Sequence, residues 1–399
     1  MTSVKLKFRP STKEGKEGTI YYQIIHDRQI RQIKSGLKIY NDEWSLSKSN
    51  IQSISASERR ALYLSTSIDR TKIALRRLEC IVKTLEGRTY SVDDIVAAYE
   101  QPHKGRTLYE FMLEVIYRYK ELGKLRTAET YFATLCSFVT FREGEDISLK
   151  LIDSDLLEGY EAHLKRKESA LNTISFYMRK LRAVYNRAVD KGIISGQNPF
   201  KRVYTSIEKT PKRAIPLKDI SKLKELELAH LPDIEFARDI FLFSFYTRGM
   251  SFVDIAYLRK KDLRNGELTY MRRKTGQRLQ IKWEKCMEEL VQKYNCDSSD
   301  YLLPIITNIE KDLRQQYTDG MRKVNRNLKK VVELAGIDCN LTMYVARHSW
   351  ASAAKSKNVP LSVISEGMGH DSEATTQIYL ASLENSVIDK ANKLILKSI

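Results

Sequence analysis

The sequence predicts a mainly helical chain with small β-sheets (α+β), divided into two or three domains. Three observations carry this. At 399 residues the chain is longer than one hydrophobic core usually organises. Its first forty residues hold short β-type runs, while apolar residues beyond about residue 106 recur at helical spacing. A hairpin pattern then interrupts the helices near residues 267–283.

The first zone, about 1–105, opens with runs around Val4–Phe8, Thr19–Ile25 and Arg28–Leu37, which predict a three-stranded sheet. Residues 1–40 carry nine Lys or Arg against three acids. Lys5, Lys7, Arg9, Arg28 and Arg31 are the candidates for lying in a DNA groove. Lysines on exposed strands also block edge-to-edge pairing, so both readings stay open. A helix over about 56–85 leads away from the sheet.

The second zone, about 106–205, reads as nearly all helix. Thr107 and Glu110 fit a capping box opening a helix through Leu122, and another helix runs over about 128–141. From Leu171 to Lys191, a stripe of Leu171, Ile174, Met178, Leu181, Tyr185 and Ala188 marks one buried face. Arg179, Lys180, Arg182 and Arg187 occupy its other faces, as a solvated surface or as DNA contacts. A linker follows at 210–216. Its two prolines disfavour helix, and Lys212 and Arg213 suit a strap crossing a phosphate backbone.

In the third zone, 214–399, a helix over Ala237–Tyr246 delivers Thr247-Arg248-Gly249-Met250. The hairpin Glu267–Trp283 turns at Lys274-Thr275-Gly276-Gln277 and holds Lys274 outward. A helix over Leu341–Trp350 places Tyr344, Arg347 and His348 on or near one face. Gly367-Met368-Gly369-His370 and then Tyr379 follow.

The net charge of +18 and a sequence pI near 9.5 make a polyanion the first partner to consider. Five scattered cysteines without a CxxC pair argue for free thiols, and the six histidines lack metal-ligand spacing. No apolar run has the length of a membrane span or a signal peptide, which leads us to expect a soluble cytoplasmic protein.

The residue types of the third zone suit phosphodiester chemistry without a metal. Arginine forks match the non-bridging oxygens, a lysine can protonate a departing alkoxide, and a tyrosine hydroxyl can hold the phosphate covalently. In order and spacing these residues resemble the tyrosine recombinases of the phage-integrase family, in the branch carried by integrative and conjugative elements. That family has a leucine-glycine-histidine box with its nucleophilic tyrosine nine residues on; His370 and Tyr379 match, with Met368 in place of leucine. Arg347 matches the arginine of a histidine-x-x-arginine box, in which Tyr344 replaces the histidine, and Lys274 matches the hairpin lysine. Ser251 stands where the family's first catalytic arginine is expected, with Asp254 as the following acid, and Arg248 is the nearby candidate replacement.

The resemblance implies an arm-site-binding domain (1–105), a helical core-site-binding domain (106–205) and a catalytic domain (214–399). It implies attack by Tyr379 to give a 3′-phosphotyrosyl link and a free 5′-hydroxyl. Arg347, His370 and Arg248 would hold the phosphate, Tyr344 would hydrogen-bond it, and Lys274 would protonate the 5′-oxygen. The general base is unassigned, and no metal or other cofactor is called for. Double-stranded DNA is the implied partner, with a homotetramer on DNA formed from protomers that are monomers in solution, and with DNA-bending or directionality factors as accessories. Beyond Tyr379, Leu383, Val387, Ala391 and Leu394 at helical spacing suit docking on a neighbour or on the same domain. The competing readings are a DNA-binding factor that has lost catalysis, with Ser251 and Tyr344 as its marks, and a type IB topoisomerase.

Overall fold

The computed structural model describes residues 2–47, 49–52, 57–101, 105–208, 214–295 and 299–380, with Lys393 and Leu396; for 378–380 it describes the backbone alone. Two compact units result, Met1–Lys209 and Thr210–Ile399.

In the first unit, β1 (Ser3–Arg9), β2 (Gly18–His26) and β3 (Gln29–Ile39) form an antiparallel sheet in that order. Period-2 alternation sends Leu6, Ile20, Tyr22, Ile24, Ile33 and Leu37 into one core. The β2–β3 turn consists of Asp27 and Arg28, both at positive φ (44° and 65°), the geometry that lets a two-residue turn follow the strand twist. A short ribbon, β4 (Trp44–Ser45) and β5 (Asn50–Ile51), precedes α1 (Glu58–Leu85). Ser57 caps α1 by accepting from the Arg60 N–H, and Leu64, Leu78 and Ile81 close the sheet's core. α2 (Val92–Glu100), opened by a Ser91–Asp94 capping box, covers the same core.

α3 (Leu108–Glu121), α4 (Leu125–Phe141), α5 (Ser154–Arg166) and α6 (Leu171–Asp190) enclose a second core around Phe111, Phe138, Tyr160 and Met178. On α6 the expected stripe is buried from Ile174 to Ala188, while Leu171 is exposed at the helix start. Helix α1 belongs to both cores. Its Ile73 enters the helical one, and Arg77 donates to the carbonyls of Tyr99 and Gly144 while lying over the rings of Tyr99 and Tyr109. The near-buried pair of Lys120 on α3 with Asp69 on α1, at 2.6 Å, joins the same elements.

The second unit contains α7 (Leu217–Glu225), α8 (Pro232–Tyr246) and α9 (Phe252–Ala256), then a three-stranded antiparallel sheet of β6 (Leu263–Arg264), β7 (Glu267–Met271) and β8 (Arg278–Lys282). After these come α10 (Lys285–Lys293), α11 (Leu313–Leu334), α12 (Met343–Ser356), α13 (Leu361–Met368) and α14 (Glu373–Leu380). α8 runs through the core, with Ala237, Ile240, Phe241, Leu242 and Phe243 all buried between α11 and α12. Buried Arg238 on α8 donates to the carbonyls of Leu223, Lys224 and Leu226, groups that the end of α7 leaves without helical partners. No helix among the described residues is long and apolar enough to cross a membrane.

Candidate active site

Four segments of the second unit meet around Arg347. The first is the turn that ends α8, where Arg248 and Gly249 both adopt left-handed backbone (φ 60° and 74°). That turn presses Gly249 against α12: a Cβ there would lie 2.6 Å from the Arg347 Cα. Arg347 Nη1 donates to the Gly249 carbonyl at 2.9 Å, and Nη2 donates to the Met368 carbonyl at 2.5 Å and to His370 Nε2 at 3.0 Å. Arg347 Nε is buried with no hydrogen-bond partner among the described residues.

The second segment is the β7–β8 hairpin. Arg272 N–H donates to the Gln277 carbonyl and Gly276 N–H to that of Arg272, closing a tight loop with Lys274 on its exposed tip. Asp254, buried on α9, anchors the loop by accepting the Arg273 N–H at 2.9 Å and the Ser251 hydroxyl at 2.6 Å. Arg272 is buried, and its guanidinium donates to the Gly369 carbonyl.

The third segment is the end of α13. Gly369 caps the helix at φ 65°, which turns His370 back under Arg347. The fourth is α14, whose buried Thr376 hydroxyl lies 2.7 Å from His370 Nδ1. Tyr379 follows Thr376 by three residues on this helix.

The arrangement gathers positive charge, and the Asp254 carboxylate is the acid whose charge reaches Arg347. Arg347, Arg272, Arg248 and Lys274 form no ion pair among the described residues. Burial and the neighbouring Arg272 lower the Arg347 guanidinium to about 10, so it stays charged at neutral pH. Burial, then Arg347, Arg272 and Lys274, hold His370 down at about 4, so its imidazole is neutral there. Buried cations without a carboxylate partner are costly, and an anion entering among them would offset that cost.

Of the residues singled out from the sequence, Arg347 and His370 are in direct contact, and the charge of Lys274 reaches His370. Arg248 extends along Gly367, and its Nη1 donates to the Gln280 carbonyl of β8 at 3.2 Å. Tyr344 is 56% exposed on α12, edge-on to His348, in the field of Arg347 and Arg272. Ser251 is tied to Asp254. Arg272 and Thr376 were not foreseen. The signal for Arg272 is strand alternation: Leu268 and Tyr270 point inward, and the next inward register position holds an arginine.

In the first unit, cross-strand register sets the sheet's outward face in three rows: Lys5, Gln23 and Gln32; Lys7, Tyr21 and Lys34; Arg9, Thr19 and Lys38. Lys5, Lys7 and Arg9 thus share a face with two further lysines. Arg28 sits at the turn, whereas Arg31 lies opposite Ile24 and forks onto Asp93 of α2 at 2.7 and 3.0 Å. On α6, Lys180 stacks over the Tyr131 ring at 4.7 Å, and Arg179 Nε donates to the Ser175 carbonyl. Lys212 and Arg213 lie outside the described residues.

Residues 107–207 match the phage integrase SAM-like domain model, and residues 232–386 match that of the phage integrase family. The chain belongs to the phage integrase family of tyrosine recombinases. A tyrosine recombinase of Pseudothermotoga lettingae is 23% identical over 67% of this chain and 92% of its own length. The lambda integrase tetramer bound to a Holliday junction aligns with a TM-score of 0.52 and 14% identity, over 90% of this chain and 92% of that one. The Tn1549 transposon integrase in complex with transposon right end DNA gives a TM-score of 0.54 and 13% identity, over 72% of this chain and 100% of its own. At these identities the likeness to the solved structures is one of fold: mainly helical with small antiparallel sheets.

Proposed function

We propose that this phage-integrase-family chain is a site-specific recombinase that cleaves and rejoins DNA through a 3′-phosphotyrosyl link on Tyr379, serving integration and excision of a mobile element. The supporting observation is the buried cluster of Arg347 and Arg272 around His370, in which neither arginine has an ion-pair partner among the described residues and Thr376 joins His370 to the helix of Tyr379. Tyr379 Oη releases its phenol proton to solvent and attacks phosphorus as the P–O5′ bond breaks. Arg347 and Arg272 take up the charge developing on the non-bridging oxygens. Lys274, on its loop tip, gives the departing 5′-oxygen its proton. A 5′-hydroxyl from the partner strand reverses the step. Arg248 is a third cation at the rim, and Tyr344 a phenol able to hydrogen-bond an oxygen.

The inactive-factor reading rests on Ser251 and Tyr344. Arg272 answers the first of these, because a buried guanidinium just beyond the end of β7 supplies a charge that Ser251 lacks. Lys5, Lys7, Arg9, Lys34 and Lys38 suit the sheet to an arm-site groove, and the helical part of the first unit to the core site. DNA binding and a tetramer on DNA follow from this reading. The test is a two-plasmid assay with the element's attachment sites, comparing wild type with Tyr379→Phe. Joined products from wild type alone are expected. Sequence-specific binding without products would favour the inactive factor, and relaxation of plasmids lacking any site would favour the topoisomerase.

A further inference from the structure

His370 has two ring nitrogens, and the structure determines which of them carries the proton. Nε2 lies 3.0 Å from Nη2 of Arg347. A guanidinium nitrogen has only N–H donors and no lone pair to offer. Nε2 must therefore be the acceptor, and in a neutral imidazole the proton then sits on Nδ1. The atom facing Nδ1, at 2.7 Å, is the Thr376 hydroxyl oxygen, which accepts that N–H. The opposite tautomer would set an Nε2–H against an arginine N–H. Thr376 has no exposed surface, so water does not compete for the bond.

From this geometry we infer that Thr376 is a positioning residue for the reaction: by accepting the Nδ1–H of His370 it commits the imidazole to one tautomer and one orientation, with Nε2 facing Arg347 and the phosphate. The inference rests on the proposed strand-cleavage reading for its consequence, and on hydrogen-bond geometry alone for its premise. With Nδ1 committed, any proton the ring gains must sit on Nε2. An incoming phosphate oxygen is met at Nε2, which donates to it only once the ring has gained that proton; in the neutral ring Nε2 keeps its lone pair towards Arg347. Thr376 also lies on α14, three residues before Tyr379, so one hydroxyl connects the nucleophile's helix to the histidine. A valine has the threonine's shape and lacks its oxygen. It should leave the helix packed and the ring without its acceptor.

The experiment uses the full chain labelled with 15N-histidine, as wild type, Thr376→Val and Thr376→Ser, with His370→Gln to assign the signal. Long-range 1H–15N spectra report the tautomer without DNA, and single-turnover cleavage of a nicked half-site duplex reports the rate. Wild type should show the Nδ1–H tautomer. Thr376→Val should lose that single pattern and cleave roughly tenfold more slowly at unchanged duplex affinity, while Thr376→Ser restores most of the rate. An Nε2–H tautomer in wild type, or a valine variant that keeps both pattern and rate, overturns the inference. So does a valine variant that slows while its ring stays in the wild-type tautomer. If wild type gives no cleavage, the strand-cleavage reading fails, and the spectra still decide the Thr376–His370 assignment by themselves.

Discussion

Replacing Gly249 with alanine should damage the site out of proportion to the one methyl group added. At φ 74° an alanine costs about 1 kcal/mol relative to glycine, because its Cβ crowds the following carbonyl. The new Cβ would also lie 2.6, 2.8 and 2.9 Å from the Cα, Cγ and Cβ of Arg347. The nearest of these is helix backbone and cannot rotate away. Reaching the ordinary 3.4 Å requires α12 and the turn to part by about 0.8 Å. Overpacking of that kind costs roughly 1–3 kcal/mol, for a total of about 2–4 kcal/mol. The same movement pulls the Gly249 carbonyl from Arg347 Nη1, so cleavage by the folded fraction should fall by roughly a hundredfold. Gly266→Ala is the control: its φ is 73°, and a Cβ there meets nothing within 4 Å. Urea unfolding followed by tryptophan fluorescence should place Gly266→Ala about 1 kcal/mol below wild type and Gly249→Ala well below that. Equal losses in the two variants would refute the steric argument.

Three further outcomes follow from the same geometry. Arg272→Lys keeps the charge but loses the fork, so single-turnover cleavage should drop by roughly 10–100-fold with duplex affinity little changed; an unaltered rate would remove Arg272 from the site. Lys274→Ala should be severely impaired on ordinary DNA and rescued on a substrate with sulfur at the bridging 5′ position, since a thiolate leaves without a proton; failure of rescue would count against Lys274 as the acid. His370 takes its proton near pH 4 in the fold and near 6.5 when unfolded, so the unfolded chain binds more protons between those values. Its stability contribution is therefore full above about pH 6.5 and lost as pH falls toward 4; His370→Gln should flatten that part of the urea-derived profile, and an unchanged slope would contradict the assignment.

Where one residue's burial follows from local periodicity, the sequence was readable. The α6 stripe, the β7–β8 hairpin and the α8 core helix lie where their spacing predicts. The spacing of His370 and Tyr379 was legible because the two lie in one short stretch of chain, His370 just after the cap of α13 and Tyr379 on α14. α11 was harder: it is 22 residues of largely polar sequence, held by Val324, Leu328 and Val331 on one narrow face. Partners distant in sequence were not readable. Nothing near Arg31 announces Asp93, 62 positions away, so a groove candidate and a structural ion pair look alike in the sequence. Arg272 reads as one more basic residue of a hairpin until its bond to Gly369, 97 positions on, places it beneath His370. The bond from Thr376 to His370 spans only six residues, but it depends on the left-handed turn at Gly369 that folds α13 back towards α14.

The most direct test of the account is a covalent-trapping experiment on a nicked half-site duplex from the host element. Wild type, Tyr379→Phe and Arg347→Ala would be incubated with the labelled duplex, denatured, and any protein–DNA adduct digested and mapped by mass spectrometry. The account predicts an adduct from wild type with the 3′-phosphate on the Tyr379 peptide, none from Tyr379→Phe, and a trace at most from Arg347→Ala. A wild-type protein that binds the duplex without forming an adduct, or an adduct mapping to another residue, would contradict it.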